Sequence, residues 1–245
     1  MIAAVRVAAL ALLFLICAPL HLLTRAVAGS SPWPRRFLGA AAWILGARVR
    51  TQGAPVARHS LIVANHVSWL DILIVAGATG AAFVSKDALG NGFVHWLADQ
   101  NDTIYVRRGH MKGAMDQARD IAKALDGDKP VALFPEGTVG PGTALLPFRS
   151  TLLEAANYAA GDVTIRPVAI DYGQAAASIA WYGQTAKDNV RQILGRRGSL
   201  PVTLRLLDPL ARGGDRKQLV AEARAAIERA LGFKSAEPSP IGAGQ

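Results

Sequence analysis

A histidine and a carboxylate five residues apart, His66 and Asp71, stand in the segment Asn65-His66-Val67-Ser68-Trp69-Leu70-Asp71. An imidazole takes up a proton near neutrality, and a carboxylate on its other ring nitrogen fixes the tautomer. The two types together make a general base and its orienting partner. In an unbroken helix five residues turn through about 500°, which would put the pair on different faces. The chain must therefore bend between them. Ser68 supplies the bend, since Ser-Trp-Leu-Asp is a Ser-x-x-Asp helix start that leaves His66 just before the helix and Asp71 in its first turn. The positive end of that helix would keep the resting imidazole neutral. A plain helix cap beside a loop-edge histidine accounts for the same residues. The other histidines, His21, His59, His95 and His110, have no carboxylate at a suggestive spacing and read as structural or exposed.

A second polar cluster, Phe134-Pro135-Glu136-Gly137-Thr138, follows another apolar run. Ligands of open α/β sheets bind at the carboxyl ends of strands. There Glu136 and Thr138 offer hydrogen-bond partners to a polar substrate such as glycerol, and Gly137 allows close backbone approach. An exposed Pro-Gly turn is the alternative. The run Thr103-Ile104-Tyr105-Val106-Arg107-Arg108-Gly109 ends a short strand in two guanidinium groups, which grip phosphate bidentately or simply sit in solvent. Lys86 and Arg149 are weaker cases of the same kind.

These residues need a scaffold that gathers strand ends. Candidate strands are Leu61–Ala64, Ala82–Ser85, Ile104–Val106, Val131–Phe134, Val163–Ile170 and Val202–Leu207, several of them continuous apolar runs of the type buried on both faces. Pro167 splits or bounds the fifth. Between them, Ala114, Ala118, Ile121, Ala122 and Leu125 fit one helical face stopped by Gly127, and 152–159 forms a shorter helix. A third helix spans 215–231, capped by Asp215 with Gln218 reciprocating and ended by Gly232. The pattern predicts a single α/β domain, residues 53–234, whose largely parallel or mixed sheet is covered by helices. The tail, 235–245, reads as disordered. No internal repeat is visible.

Residues 1–52 read as an N-terminal membrane anchor and interfacial segment. Val7 to Thr24 carries no formal charge between Arg6 and Arg25, and about 20 residues cross the hydrocarbon layer as a helix. A cleaved signal peptide competes, with Ala26-Val27-Ala28 as its processing site. Arg25 within that site and Arg35-Arg36 beyond it favour an uncleaved anchor with the following domain in the cytoplasm, at the inner membrane. Phe37 to Ala47 is too short to span and reads as interfacial, re-entrant or a first core helix. The 27 basic against 18 acidic residues fit anionic lipid, phosphorylated substrates or nucleic acid. Without basic-aromatic interleaving, lipid ranks above nucleic acid as partner. The lone Cys17 excludes an internal disulfide framework and a thiolate metal site.

Taken in order, the blocks resemble the glycerolipid acyltransferases, the PlsC-like 1-acylglycerol-3-phosphate acyltransferases. The Asn-His-x-x-x-x-Asp motif is matched by Asn65, His66 and Asp71, the apolar-x-x-Arg block by 105–108 with Arg108 in the arginine position, and Phe-Pro-Glu-Gly-Thr by 134–138. The later apolar block with proline is matched by Arg166-Pro167-Val168-Ala169-Ile170. The resemblance runs from about Gly53 to Tyr172. It departs at Val139, usually basic or small and polar, and at Phe148-Arg149-Ser150-Thr151, where Phe-Lys-x-Gly is usual. It implies transfer of a fatty acyl group from acyl-CoA or an acylated carrier protein to the hydroxyl of 1-acylglycerol-3-phosphate, making phosphatidic acid with no other cofactor and no metal. His66 would be the base and Asp71 its orienter. Asn65, Arg108, Glu136, Gly137, Thr138 and Arg149 would bind substrate, Arg108 at the acceptor phosphate. The basic chain suits an acidic carrier protein. The closest alternative is a relative acylating another lysolipid, such as lyso-ornithine lipid. A serine hydrolase would need a Gly-x-Ser-x-Gly elbow, which is missing. A non-catalytic lipid-binding protein would work unchanged without His66.

Overall fold

The computed structural model of the chain describes residues 1–86, 92–106, 111–159, 162–210 and 215–233. Two apolar helices come first, α1 (Ile2–Ala28) and α2 (Trp33–Ile44), joined by an elbow in which Gly29 takes a left-handed conformation and Pro34 opens α2. Strands and helices then alternate: β1 (Ala47–Gln52), β2 (Ser60–Ala64), α3 (Leu70–Thr79), β3 (Ala82–Lys86), α4 (Phe93–Gln100), β4 (Ile104–Val106), α5 (Met111–Leu125) and β5 (Val131–Leu133). After a long loop come α6 (Ala155–Tyr158), β6 (Thr164–Asp171), α7 (Ala176–Ile179), α8 (Ala186–Gly195), β7 (Leu200–Leu206) and α9 (Arg216–Leu231).

Among the described residues seven strands form one sheet, ordered β1-β7-β6-β2-β5-β3-β4. Every neighbouring pair is parallel except β6 and β7, so β1 and β7 run against the other five. This is the expected mixed α/β sheet. Alternate residues of β2 feed two cores. Ile62 and Ala64 join Leu70, Ile74 and Val75 of α3 and Ile193 of α8 on one face. Leu61 and Val63 join Ile121 and Leu125 of α5 and Val220 and Ala223 of α9 on the other. Each fully buried aliphatic side chain contributes roughly 1.5–3 kcal/mol.

The expected strands are all present, but β1 is new. Ala47 to Gln52 lies inside the stretch assigned to the anchor, yet it pairs in parallel with β7 along its whole length, so the sheet begins before residue 53. Pro167 neither splits nor ends β6. Its carbonyl accepts from Leu207 N–H at 3.0 Å just past the end of the β6–β7 ladder, so its missing N–H forfeits only the reciprocal bond of that terminal pair. Asp215 occupies the α9 N-cap without a side-chain cap bond, and Gln218 turns instead to Glu222. The predicted disordered tail lies outside the described residues.

Helix α1 is long and apolar enough to cross a membrane, but it is tied to the domain at both ends. The Arg6 guanidinium donates to the carbonyls of Ile193 and Leu194 at the C-terminus of α8, His21 meets Gln100 of α4, and Arg25 approaches Asp102. The other flank of α1 exposes Leu12, Leu15, Ile16, Leu22 and Leu23. Helix α2 crosses α3 in backbone contact: a Cβ added at Gly77 would sit 2.5 Å from the Cα of Gly39.

Candidate active site

The carboxyl ends of β6, β2 and β5, three adjacent parallel strands, converge on one edge of the sheet. The chain leaves β2 as Asn65, bends, and enters α3 at Leu70. That bend brings His66 Nδ1 within 2.9 Å of Asp71 Oδ2. The same oxygen accepts the N–H groups of Val67 at 2.6 Å and Ser68 at 2.9 Å, while Oδ1 accepts the Tyr172 hydroxyl at 2.5 Å. One carboxylate with no solvent exposure thus both fastens the bend before α3 and orients the imidazole, while the α3 N-cap, Trp69, has no side-chain cap bond. As an acceptor Asp71 places the proton of His66 on Nδ1, leaving the acceptor lone pair on Nε2. The imidazole also stacks on Phe134, centroids 4.0 Å apart and planes 9° from parallel, so its ring plane is fixed from two sides.

Three other segments hold the bend. Gly140 N–H donates to the His66 carbonyl at 2.6 Å and Trp181 N–H to that of Val67 at 2.9 Å. Trp69 Nε1 donates to Asn189 Oδ1, whose own amide is bound to Ile179 and Ala180 carbonyls. A Cβ added at Gly140 would press on Glu136 Oε2 at 2.9 Å, the oxygen that holds Leu146 N–H.

Two residues expected to bind substrate are occupied by backbone. Asn65 exchanges two hydrogen bonds with Ile170 of β6, donating to its carbonyl at 3.1 Å and accepting its N–H at 2.8 Å. Glu136 accepts His66 N–H on Oε1 and Leu146 N–H on Oε2, each at 2.8 Å. Its carboxyl is buried, and burial pushes it above the ordinary carboxylate range, with the two N–H donors and His66 pulling the other way. Gly137 has φ +68° and lies beside the Arg149 guanidinium, which with Thr138 is exposed on this rim. Arg107, Arg108 and His110 lie outside the described residues.

Next to His66 is a cavity of about 160 Å³. Its charged or ionisable lining among the described residues comprises His66, Glu136, Asp171 and Tyr172, with Leu145, Leu231 and Phe233 as apolar wall. Asp171 pairs with Arg205 at 2.9 Å and accepts Gly173 N–H. The phenol of Tyr172 is pushed well up by burial and by the Asp71 carboxylate, so its hydroxyl remains a donor. Of the remaining histidines, His95 does have a carboxylate partner, contrary to expectation: Asp99 one turn later lies 3.2 Å from it, and the Tyr105 hydroxyl lies within hydrogen-bond reach of both.

A family model described as Acyltransferase matches residues 47–171. A lyso-ornithine lipid O-acyltransferase of Rhodobacter capsulatus is 30% identical over 252 residues, covering 95% of this chain and 91% of that protein. Another, of Pseudomonas aeruginosa, is 33% identical and covers 78% and 74%. The fold is similar to the crystal structure of PlsC, the 1-acyl-sn-glycerophosphate acyltransferase of Thermotoga maritima. The TM-score is 0.65 at 21% identity, over 94% of this chain and 96% of that one.

Proposed function

This chain belongs to the acyltransferase family, and from that footing we propose that it acylates the free hydroxyl of a lyso-ornithine lipid, with His66 as base. The observation that carries the reading is the His66–Asp71 pair, fixed in tautomer and ring plane at the strand ends. His66 Nε2 takes the hydroxyl proton as the oxygen attacks the carbonyl carbon of an acyl thioester. The tetrahedral intermediate collapses with loss of the C–S bond, and the imidazolium returns the proton to the departing thiolate. The products are an ester and a free thiol, with no acyl-enzyme and no cofactor beyond the acyl-CoA or acyl carrier protein donor. Asp71 orients the imidazole and stabilises its charged form.

We place lyso-ornithine lipid ahead of 1-acylglycerol-3-phosphate on two grounds. Relatives matched over most of both chains carry that name. The cavity beside His66 also presents Asp171, a carboxylate suited to the side-chain ammonium of ornithine and unsuited to a phosphate. Arg149, Thr138 and Gly137 form a rim on which the donor's polar end would rest, and Arg108, which would hold the acceptor phosphate of 1-acylglycerol-3-phosphate, has no such phosphate to hold in a lyso-ornithine lipid. Asn65 and Glu136 serve the site by fixing its backbone. Helices α1 and α2 would lie in the cytoplasmic leaflet of the inner membrane, since ties at both ends of α1 to one domain fit a helix lying along the surface better than one crossing it.

The deciding experiment is acyl transfer by the purified protein in detergent or vesicles. It offers lyso-ornithine lipid and 1-acylglycerol-3-phosphate separately, each with acyl-CoA and with acyl carrier protein. Product from lyso-ornithine lipid, lost in a folded His66→Ala, is the expected result. Product only from the phosphate acceptor overturns the choice of acceptor, and equal product from His66→Ala removes the base.

A further inference from the structure

Tyr172 follows the end of β6, on the strand beside β2, and reaches across the site to the helix that carries Asp71. It is 3% exposed and Asp71 is completely buried. The two carboxylate oxygens are served differently. Oδ2 collects His66 Nδ1–H and two backbone N–H groups of its own bend, whereas the Oδ1 partner among the described residues is the Tyr172 hydroxyl, 101 residues away in sequence. A phenylalanine would fill the same space. A buried hydroxyl is costly unless bonded, and this one makes a short bond to an anion. Its presence is therefore explained by the carboxylate and not by packing.

We infer that Tyr172 is a positioning residue of the acyl transfer: its hydroxyl holds the Asp71 carboxylate against His66 and draws off part of the charge that would otherwise stabilise the imidazolium. The inference rests on His66 being the base. Removing the donor leaves more negative charge facing Nδ1–H and misaligns it. The base becomes easier to protonate and less well aimed. Among the described residues the other ionisable groups facing the pair are Glu136, through the His66 backbone, and Asp171, which is ion-paired with Arg205; α3 carries no charged side chain besides Asp71.

The test compares wild type, His66→Ala, Tyr172→Phe and a protein with 3-fluorotyrosine at position 172, on whichever of lyso-ornithine lipid and 1-acylglycerol-3-phosphate the wild type acylates. Thermal unfolding of each variant is recorded alongside kcat, KM and the pH dependence of kcat/KM. Tyr172→Phe is expected to lower kcat about tenfold at unchanged acceptor KM and to move the acidic limb up by about one pH unit. The fluorinated tyrosine, a stronger donor of the same shape, is expected to move that limb down. An active wild type and an inactive His66→Ala, with the limb unmoved in both Tyr172 variants, overturns the role of Tyr172 alone, even if Tyr172→Phe unfolds earlier. A fully active His66→Ala overturns the base and the inference with it.

Discussion

Glu136 holds His66 by its backbone and not by its ring: Oε1 accepts the His66 N–H at 2.8 Å, while Oε2 ties the same carboxyl to Leu146. The group is buried, and its raised proton affinity gives stability a definite pH dependence. The folded state binds the Glu136 proton more tightly than the unfolded chain does. This contribution is therefore fully present below the ordinary carboxyl range and is lost as pH rises through that range to the raised value in the fold. Urea unfolding of wild type and Glu136→Gln across this window is expected to show the wild-type advantage shrinking with rising pH. A constant or growing difference would mean the carboxyl is not penalised by burial. Glu136→Ala, which strands two partly buried N–H donors, is expected to cost about 3 kcal/mol.

Asp71 is the acceptor for four donors, so Asp71→Asn exchanges acceptors for an amide that must turn its NH₂ toward one set of them. If the NH₂ faces Nδ1 it enforces the wrong tautomer of His66. The expected loss in kcat is about 10³-fold or more, with KM little changed, as for an orienting carboxylate in other base pairs. Single-turnover acyl transfer measures it without product release. A loss below tenfold would reduce Asp71 to a brace of the bend before α3.

The sheet and the His66–Asp71 pair were legible because their signals are local: apolar runs such as Leu61 to Ala64, and a Ser-x-x-Asp helix start that dictates the bend. What stayed hidden depends on distant pairing. Ala47 to Gln52 alternates with arginines and looks like surface, and becomes β1 only because β7, some 150 residues on, lies beside it. Asn65 and Glu136 advertise polar groups at strand ends, but whether a ligand or a remote backbone satisfies them is decided by Ile170 and Leu146. Tyr172 is one of four tyrosines and no spacing links it to Asp71. His95 and Asp99, by contrast, stand at helical i,i+4 spacing and were open to being read as a pair.

The α2–α3 crossing depends on two glycines meeting backbone to backbone. Gly77→Ala forces its Cβ within 2.5 Å of the Gly39 Cα, a clash no rotamer relieves, so α2 must lift off the helix that begins at the active site. We expect a loss of about 1–3 kcal/mol, seen as a lower Tm, and weaker acyl transfer. Gly195→Ala is the control: nothing lies within 4 Å of an added Cβ at the end of α8, and stability is expected to hold or rise by up to about 1 kcal/mol.

Acceptor choice is testable at Asp171, the cavity carboxylate not spent on holding the His66 bend. It already meets Arg205 and Gly173 N–H, and its lone pairs leave room for one further donor. An ornithine ammonium would share it as a charge-assisted bond, and a phosphate would be repelled by it. Asp171→Asn keeps the shape and an oxygen for Gly173 N–H while removing the charge. The expected outcome is a rise of about tenfold in KM for lyso-ornithine lipid, the scale of one such bond partly screened by Arg205. For 1-acylglycerol-3-phosphate KM should stay level or fall. Acylation kinetics with both acceptors, and with a lyso-ornithine lipid acetylated on its side-chain amine, separate the cases. If the charge reads the ammonium, the acetylated lipid is insensitive to the substitution. If all three acceptors change together, Asp171 supports only the turn that carries Tyr172, and the headgroup is read elsewhere.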